Sequence, residues 1–169
     1  MAKLRALEDE LFSCTQCASS DTLTYGDFDP LRETTLYLNP CAACCGRPGL
    51  CQAEQRFYVC CECGVTGTRC RAEWQAVLDW NKSRRSVSPD YRTLPCFALD
   101  DLEPEAAKAR LTVIRRNLEL RSKIAGLRRE LGESVGRDYQ QRLKAYLGWC
   151  IYAKSLVKVA LEREQCSCH

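Results

Sequence analysis

Residues 38–46 read Leu38-Asn39-Pro40-Cys41-Ala42-Ala43-Cys44-Cys45-Gly46, and residues 58–64 read Tyr58-Val59-Cys60-Cys61-Glu62-Cys63-Gly64. Each stretch holds a Cys-x-x-Cys turn that ends at or near a glycine, and each carries one cysteine more than the turn needs. A Cys-x-x-Cys turn curls the backbone around one ion and presents two thiolates to it. A following glycine lets the chain leave the turn with positive φ. Taking Cys41, Cys44, Cys60 and Cys63 as the tetrad gives C-x2-C-x15-C-x2-C, a zinc-site spacing. Four thiolates leave no open coordination position. The expected role is therefore a structural Zn2+ that folds the module.

The chain has 169 residues, 14 of them cysteine. So many cysteines mean either a disulfide framework or a metal framework. The opening residues are charged and lack the apolar core of a signal peptide. No run approaches the ~18 apolar residues of a membrane span. The expected compartment is a reducing cytoplasm, where structural disulfides are rare, and this favours metal. Net charge is +3, divided as −4 over residues 1–40, +2 over 41–100 and +5 over 101–169. That polarity is too mild for a strongly basic nucleic-acid binder.

The remaining cysteines pose a second question. Cys14 and Cys17 form a third knuckle that needs partners. The chain ends Cys166-Ser167-Cys168-His169, and this tail holds its one histidine. Cys14 and Cys17 with Cys166, Cys168 or His169 make a candidate second zinc site. Cys51 and Cys70, or Cys41 and Cys44 in a different ribbon, are rival partners for the first knuckle. Cys45 and Cys61 adjoin ligands and are read as packing residues or as ligands of another ion. Cys96 and Cys150 are read as small apolar residues.

The expected fold class is α+β, a small four-cysteine zinc-ribbon-like module followed by an antiparallel C-terminal helical hairpin. Five regions follow: an N-terminal helix and knuckle over 1–35, the ribbon over 36–85, a linker over 86–103, the hairpin over 104–165, and a Cys/His tail over 166–169. Short β-prone pieces stand at Thr22–Tyr25 and Thr34–Leu38. A short helix is expected over Arg71–Lys82, with Trp74, Val77 and Leu78 on one face and Trp80 beside it. From Pro104 the spacing is helical. Val113, Asn117, Leu120, Ile124, Leu127 and Leu131 form one seam, and Tyr139, Leu143, Tyr146, Cys150, Ala153, Val157 and Ala160 the other. Gly132–Gly136 breaks the pattern. Ile114, Leu118, Leu147, Ile151 and Leu161 widen the stripe, so the hairpin must bury a further surface. The zinc module, a second copy of the chain and a target protein are the candidates, and packing within the chain is the simplest.

Nothing in the sequence points to catalysis. The only histidine is the last residue, so no cysteine has an obvious base. No Ser-His-Asp set, phosphate-binding loop or dinucleotide fingerprint is present. No enzyme is expected.

The module from Leu38 to Arg85 resembles the restriction-alleviation (Lar) family of phages and prophages. The resemblance rests on "LNPCAACCG", "FYVCCECG" and "AVLDWNKSRR", in which Pro40, Cys41, Cys44, Gly46, Val59, Cys60, Cys63, Gly64, Ala76, Trp80, Asn81 and Arg84 fit the family pattern. Ala42 stands where that pattern has proline, and Cys45 is inserted before the glycine. The match covers under a third of the chain. It implies a zinc-ribbon-like fold and a phage-borne protein that blunts host restriction by binding a restriction–modification or defence complex in the host cytoplasm. Trp80 and Asn81 also have a structural reading, in which Trp80 caps the ribbon core and Asn81 ends its helix in a left-handed conformation. Two other functions are carried forward. One is nucleic-acid binding, with Arg84, Arg85, Arg115, Arg116, Arg121, Lys123, Arg128 and Arg129 tracking phosphates. The other is an accessory role as a homodimer joined through the hairpin.

Overall fold

The structure, a computed structural model, describes residues 1–17, 38–94, 97 and 99–167, with side chains in the first helix described through Leu11. It is an α+β protein whose described residues form a two-stranded antiparallel sheet and four α-helices. In order these are α1 (Ala2–Cys17), β1 (Gly49–Ala53), β2 (Arg56–Cys60), α2 (Glu73–Lys82), α3 (Pro104–Glu130) and α4 (Arg137–Ser167), with a 3-10 turn at Tyr91–Thr93 between α2 and α3. The chain divides into two compact units. One is made of α1, α3 and α4, and the other holds the sheet and α2 and reaches to Asp101. The β-prone pieces expected at Thr22–Tyr25 and Thr34–Leu38 lie outside the described residues, except Leu38, which is not in a strand.

In the helical unit, Pro104 begins α3 because its missing N–H is one that the first turn leaves unpaired in any helix. The helix ends where the glycines predict. Gly132 has φ +82, its N–H donates to the carbonyl of Arg129, and the N–H of Glu133 donates to that of Arg128. This pair of bonds is a Schellman stop, which glycine accommodates without steric cost. Residues 131–136 then return the chain into α4, and α3 and α4 pack closely.

Within this unit, α1 packs on the hairpin through α3. Leu120 and Ile124 pack with Leu4 and Leu11, flanked by Leu7 and Leu127. Glu8 and Glu10 of α1 reach Arg128 and Arg116 at 2.7 and 2.9 Å. Part of the expected hairpin seam therefore faces α1. A second buried stripe of α3 runs through Ala107, Leu111, Leu118, Arg121 and Ala125, and at Leu111 its carbonyl accepts from the Cys150 thiol of α4 at 3.4 Å. Cys150 is fully buried, as expected of a small apolar residue.

The other unit is built around a tight hairpin. Glu54 and Gln55 both have positive φ, +49 and +60, which suits a two-residue turn matched to the strand twist. The register pairs Gly49 with Cys60 and Cys51 with Tyr58. Phe57 forms a further bridge to Cys70 and Cys60 one to Thr66. α2 begins at Glu73, two residues later than its periodicity suggests. Its buried face is Ala76, Val77, Leu78, Trp80 and Asn81, so Trp80 lies in the face rather than beside it, and Trp74 is half-buried. The stretch read as a linker is ordered locally. Val87 N–H donates to the Pro40 carbonyl, and Tyr91, Leu94, Phe97 and Leu99 are buried.

Candidate metal centre

The first knuckle is held by backbone bonds. Cys45 N–H donates to the Cys41 carbonyl at 2.8 Å, closing a loop over the tetrad's first two cysteines. Gly46 N–H donates to Cys44 Sγ at 3.3 Å. Cys45 has φ +56 and occupies the left-handed position that follows the knuckle. The inserted cysteine is thus the residue that turns the chain, and its side chain is exposed. Residues 40–42 are anchored on residues 85–87 through the Cys41–Ser86 bridge and the bond from Ala42 N–H to the Arg85 carbonyl.

The second knuckle follows β2. Gly64 has φ +92, and its N–H donates to the Cys61 carbonyl at 2.9 Å. Cys61 N–H donates to the Val65 carbonyl, so the turn folds back on the strand end.

Four sulfurs converge here, those of Cys41, Cys44, Cys61 and Cys63, all within 4.8 Å of one another. Cys41 Sγ lies 3.7 Å from Cys63 Sγ, and Cys44 Sγ 3.5 Å from Cys61 Sγ. At a metal–sulfur distance of ~2.3 Å, a tetrahedron of thiolates has edges of about 3.8 Å. The arrangement therefore fits a tetrahedral four-thiolate ion, and these residues can hold a metal. Cys41 is fully buried and Cys61 is buried, while Cys44 and Cys63 are exposed. The Cys44 thiol is drawn down most strongly by the Gly46 N–H. Its thiol neighbours Cys61, Cys63 and Cys41, with burial, together outweigh that and push it up to about 12. A protonated thiol is a poor ligand, so metal binding must displace the Cys44 proton.

Three of the four residues assigned by spacing are brought together, and Cys60 is replaced by Cys61. The reason is strand alternation. Val59 is completely buried, and Cys61, two residues on, lies on the same side, in one cluster with Cys41, Val59 and Trp80. Cys60 points to the opposite face. There it sits diagonally across the hairpin from Cys51, and the two form a disulfide. The sequence favours metal over disulfides for most of the cysteines, and at this pair the structure has a disulfide instead. Cys70, offered as a partner for the third knuckle, is half-buried, and the side chains of that knuckle lie outside the described residues. Burial and then Asp79 raise its thiol pKa, against an opposing pull from Arg56.

The candidate second zinc site falls largely outside the described residues. This applies to the side chains of Cys14 and Cys17 and to Cys168 and His169. Cys166 is exposed near the end of α4. Cys96 is likewise outside the described residues.

Trp80 closes the core beneath the metal centre. It is fully buried, and its Nε1–H donates to the Asn39 carbonyl at 2.9 Å. Asn81 does not end the helix in a left-handed turn, as the sequence suggested. It lies within α2, and its Oδ1 accepts from Asn39 N–H at 2.9 Å. Asn39 Nδ2 donates in turn to the Asn81 carbonyl at 3.4 Å. Two consecutive residues of α2 thus clasp the residue two before Cys41. Sequence reasoning missed Asn39, although its place in the "LNPC" turn was a visible signal.

On the helical unit, an open groove of about 440 Å³ is lined by Glu10, Thr112, Arg115, Arg116, Glu119, Leu120, Lys123 and Lys154. Arg115 bonds Glu119 and Arg116 bonds Glu10, whereas Lys154 reaches the Thr112 hydroxyl, at 3.3 Å. No helix among the described residues is long and apolar enough to cross a membrane. Comparison with protein-family models, with curated proteins and with solved structures finds no match to this chain.

Proposed function

We propose that this chain is a zinc-stapled interaction protein that binds a host restriction–modification or defence nuclease complex and blunts its activity. The observation that carries the reading is the convergence of Cys41, Cys44, Cys61 and Cys63 sulfurs within 4.8 Å. Zn2+ is the favoured ion because a closed, tetrahedral set of four thiolates is its usual structural site. Such a site contributes folding energy directly and leaves nothing open for catalysis. Support for the target comes from the sequence resemblance to restriction-alleviation proteins. Its "WN" element is accounted for here as the clasp on Asn39, so those two residues support the module rather than read a target. The test is capture of a purified restriction–modification complex by the immobilised full chain, together with the rate at which that complex cleaves unmodified DNA. Binding and slowed cleavage, both lost in Cys41→Ser, are expected. Unchanged cleavage with no capture would end this reading.

The groove on α3 favours one alternative, contact with nucleic-acid phosphates, since its four cations outnumber its two carboxylates. Under that alternative, a labelled duplex binds with a steep salt dependence that Lys123→Glu and Lys154→Glu both weaken. Absence of binding at low salt removes it.

A further inference from the structure

The second knuckle carries two adjacent cysteines, and the two loops of the centre are not equivalent as they stand. In the first loop, the residue with left-handed backbone is Cys45, and the ligands sit one and four residues before it, at Cys44 and Cys41. In the second, the left-handed residue is Gly64. Its ligands sit one and three residues before it, at Cys63 and Cys61. The closing bonds show the same offset, from Cys45 N–H to Cys41 and from Gly64 N–H to Cys61. The residue that corresponds to Cys41 in the second loop is Cys60. Cys60 is held away from the centre by its place in β2, where it faces opposite to Val59 and Cys61, and by its bond to Cys51.

From this we infer that Cys60 and Cys61 are alternative fourth ligands of one metal ion, and that the redox state of the Cys51–Cys60 pair selects between them. The inference rests on the metal reading proposed above. With the pair oxidised, the tetrad is Cys41, Cys44, Cys61 and Cys63, as seen. With the pair reduced, Cys60 completes a full-length Cys-x-x-Cys knuckle, and Cys61 is released as a thiol. Adjacent Cα atoms are only ~3.8 Å apart, so the exchange is a local rotation about the 60–61 peptide. It gives up the pairing of Cys60 with Gly49, the Cys60–Thr66 bridge, and the bonds that Cys61 makes with Val65 and Gly64, all at the end of the sheet. In a reducing compartment, disulfides that do form are commonly transient and redox-sensing.

The oxidant is a small-molecule disulfide, RSSR. The Cys51 thiolate attacks it, giving a mixed disulfide and one thiolate leaving group. The Cys60 sulfur leaves the metal and displaces the second RS⁻, closing Cys51–Cys60. Cys61 gives up its proton and takes the vacated position. Two cysteine sulfurs lose two electrons, RSSR becomes two RSH, and the protons of the Cys51 and Cys61 thiols supply both. The metal remains bound by four thiolates before and after the net reaction.

The test uses the full, zinc-loaded chain, first in a phosphine reductant and then equilibrated with oxidised glutathione. Alkylation followed by peptide mapping of the wild type reads which thiol the metal protects. Cys60 protected with Cys61 labelled in reductant, and Cys61 protected within an intact Cys51–Cys60 pair after oxidation, is the expected exchange. A parallel arm reads metal per chain by native mass spectrometry. Cys61→Ser keeps the tetrad ion in reductant and loses it on oxidation, Cys60→Ser keeps it in both, and Cys51→Ser/Cys61→Ser keeps it in both. The same thiol protected under both conditions overturns the inference, as does failure of glutathione disulfide to form Cys51–Cys60. Cys41→Ser separates this failure from that of the metal reading itself. If Cys41→Ser retains the same metal content as the wild type, the ion is not in this tetrad and the fault lies with the underlying assignment.

Discussion

Trp80→Phe and Trp80→Ala should loosen the metal centre without touching a ligand. Trp80 is completely buried against Cys41, Val59 and Cys61, and it donates to the Asn39 carbonyl two residues before the first ligand. The phenyl ring retains most of the apolar contact but leaves that buried carbonyl without its indole donor, at a cost of about 1–3 kcal/mol. Alanine also opens a cavity beneath Cys41 and Cys61, and large aromatic truncations of this kind cost about 3–5 kcal/mol. Whole domains are stable by only about 5–15 kcal/mol, so the alanine variant removes a large part of what holds the small sheet unit together. Urea titration with a chromogenic chelator reads the unit through release of its metal. A urea slope of about 1 kcal/mol per molar suits so small a unit, so Trp80→Phe lowers the release midpoint by about 1–3 M. Trp80→Ala lowers it further. Far-ultraviolet circular dichroism of the long α3 and α4 serves as an internal reference, because the helical unit has its own core. A release midpoint within error of wild type for Trp80→Ala would show that the clasp does not support the ligands.

Further outcomes follow from the helical unit. Burial pushes the Cys150 thiol up to about 11, against the pull of Lys154 and Arg115. A raised folded pKa means that the unfolded chain loses this proton first. The stability it represents is complete below pH ~9 and disappears as pH rises through ~11, a loss of roughly 2–3 kcal/mol. Thermal melts of Cys150→Ala should therefore lack part of the alkaline decline seen in the wild type, and an identical pH slope would show that the buried thiol is not its source. Gly132→Ala places a side chain at φ +82 in the stop between α3 and α4. It should destabilise this unit by about 1 kcal/mol, read as a lower melting temperature. A neutral effect would mean that the loop relaxes out of the Schellman geometry.

How much of this was legible in the sequence differs between the two units. Long helices with regular apolar spacing, a proline start and a glycine stop appear where they are expected, because local chemistry at Pro104 and Gly132 sets the ends. What covers the hairpin was not legible. Leu4, Leu7 and Leu11 carry only half of a contact, and a sequence does not say which stripe of α3 receives them. At the metal centre, Cys41, Cys44 and Cys63 follow from knuckle spacing alone. The fourth ligand depends on two signals that disagree: turn length selects Cys60, while strand alternation from buried Val59 selects Cys61. The structure follows alternation, and the Cys51–Cys60 bond is a pairing that needed the hairpin register to be seen. Asn39 was overlooked because a buried asparagine earns its place through partners at positions 80 and 81, some 40 residues away.

The most direct test of the account is the zinc content of the full chain purified in reductant, measured by native mass spectrometry for the wild type, Cys41→Ser and Cys63→Ser. Each substitution is expected to remove one zinc ion per chain, and the sheet unit to lose its ordered signals in the same samples. An unchanged zinc count in both variants, or a wild-type chain that carries no zinc, would contradict it.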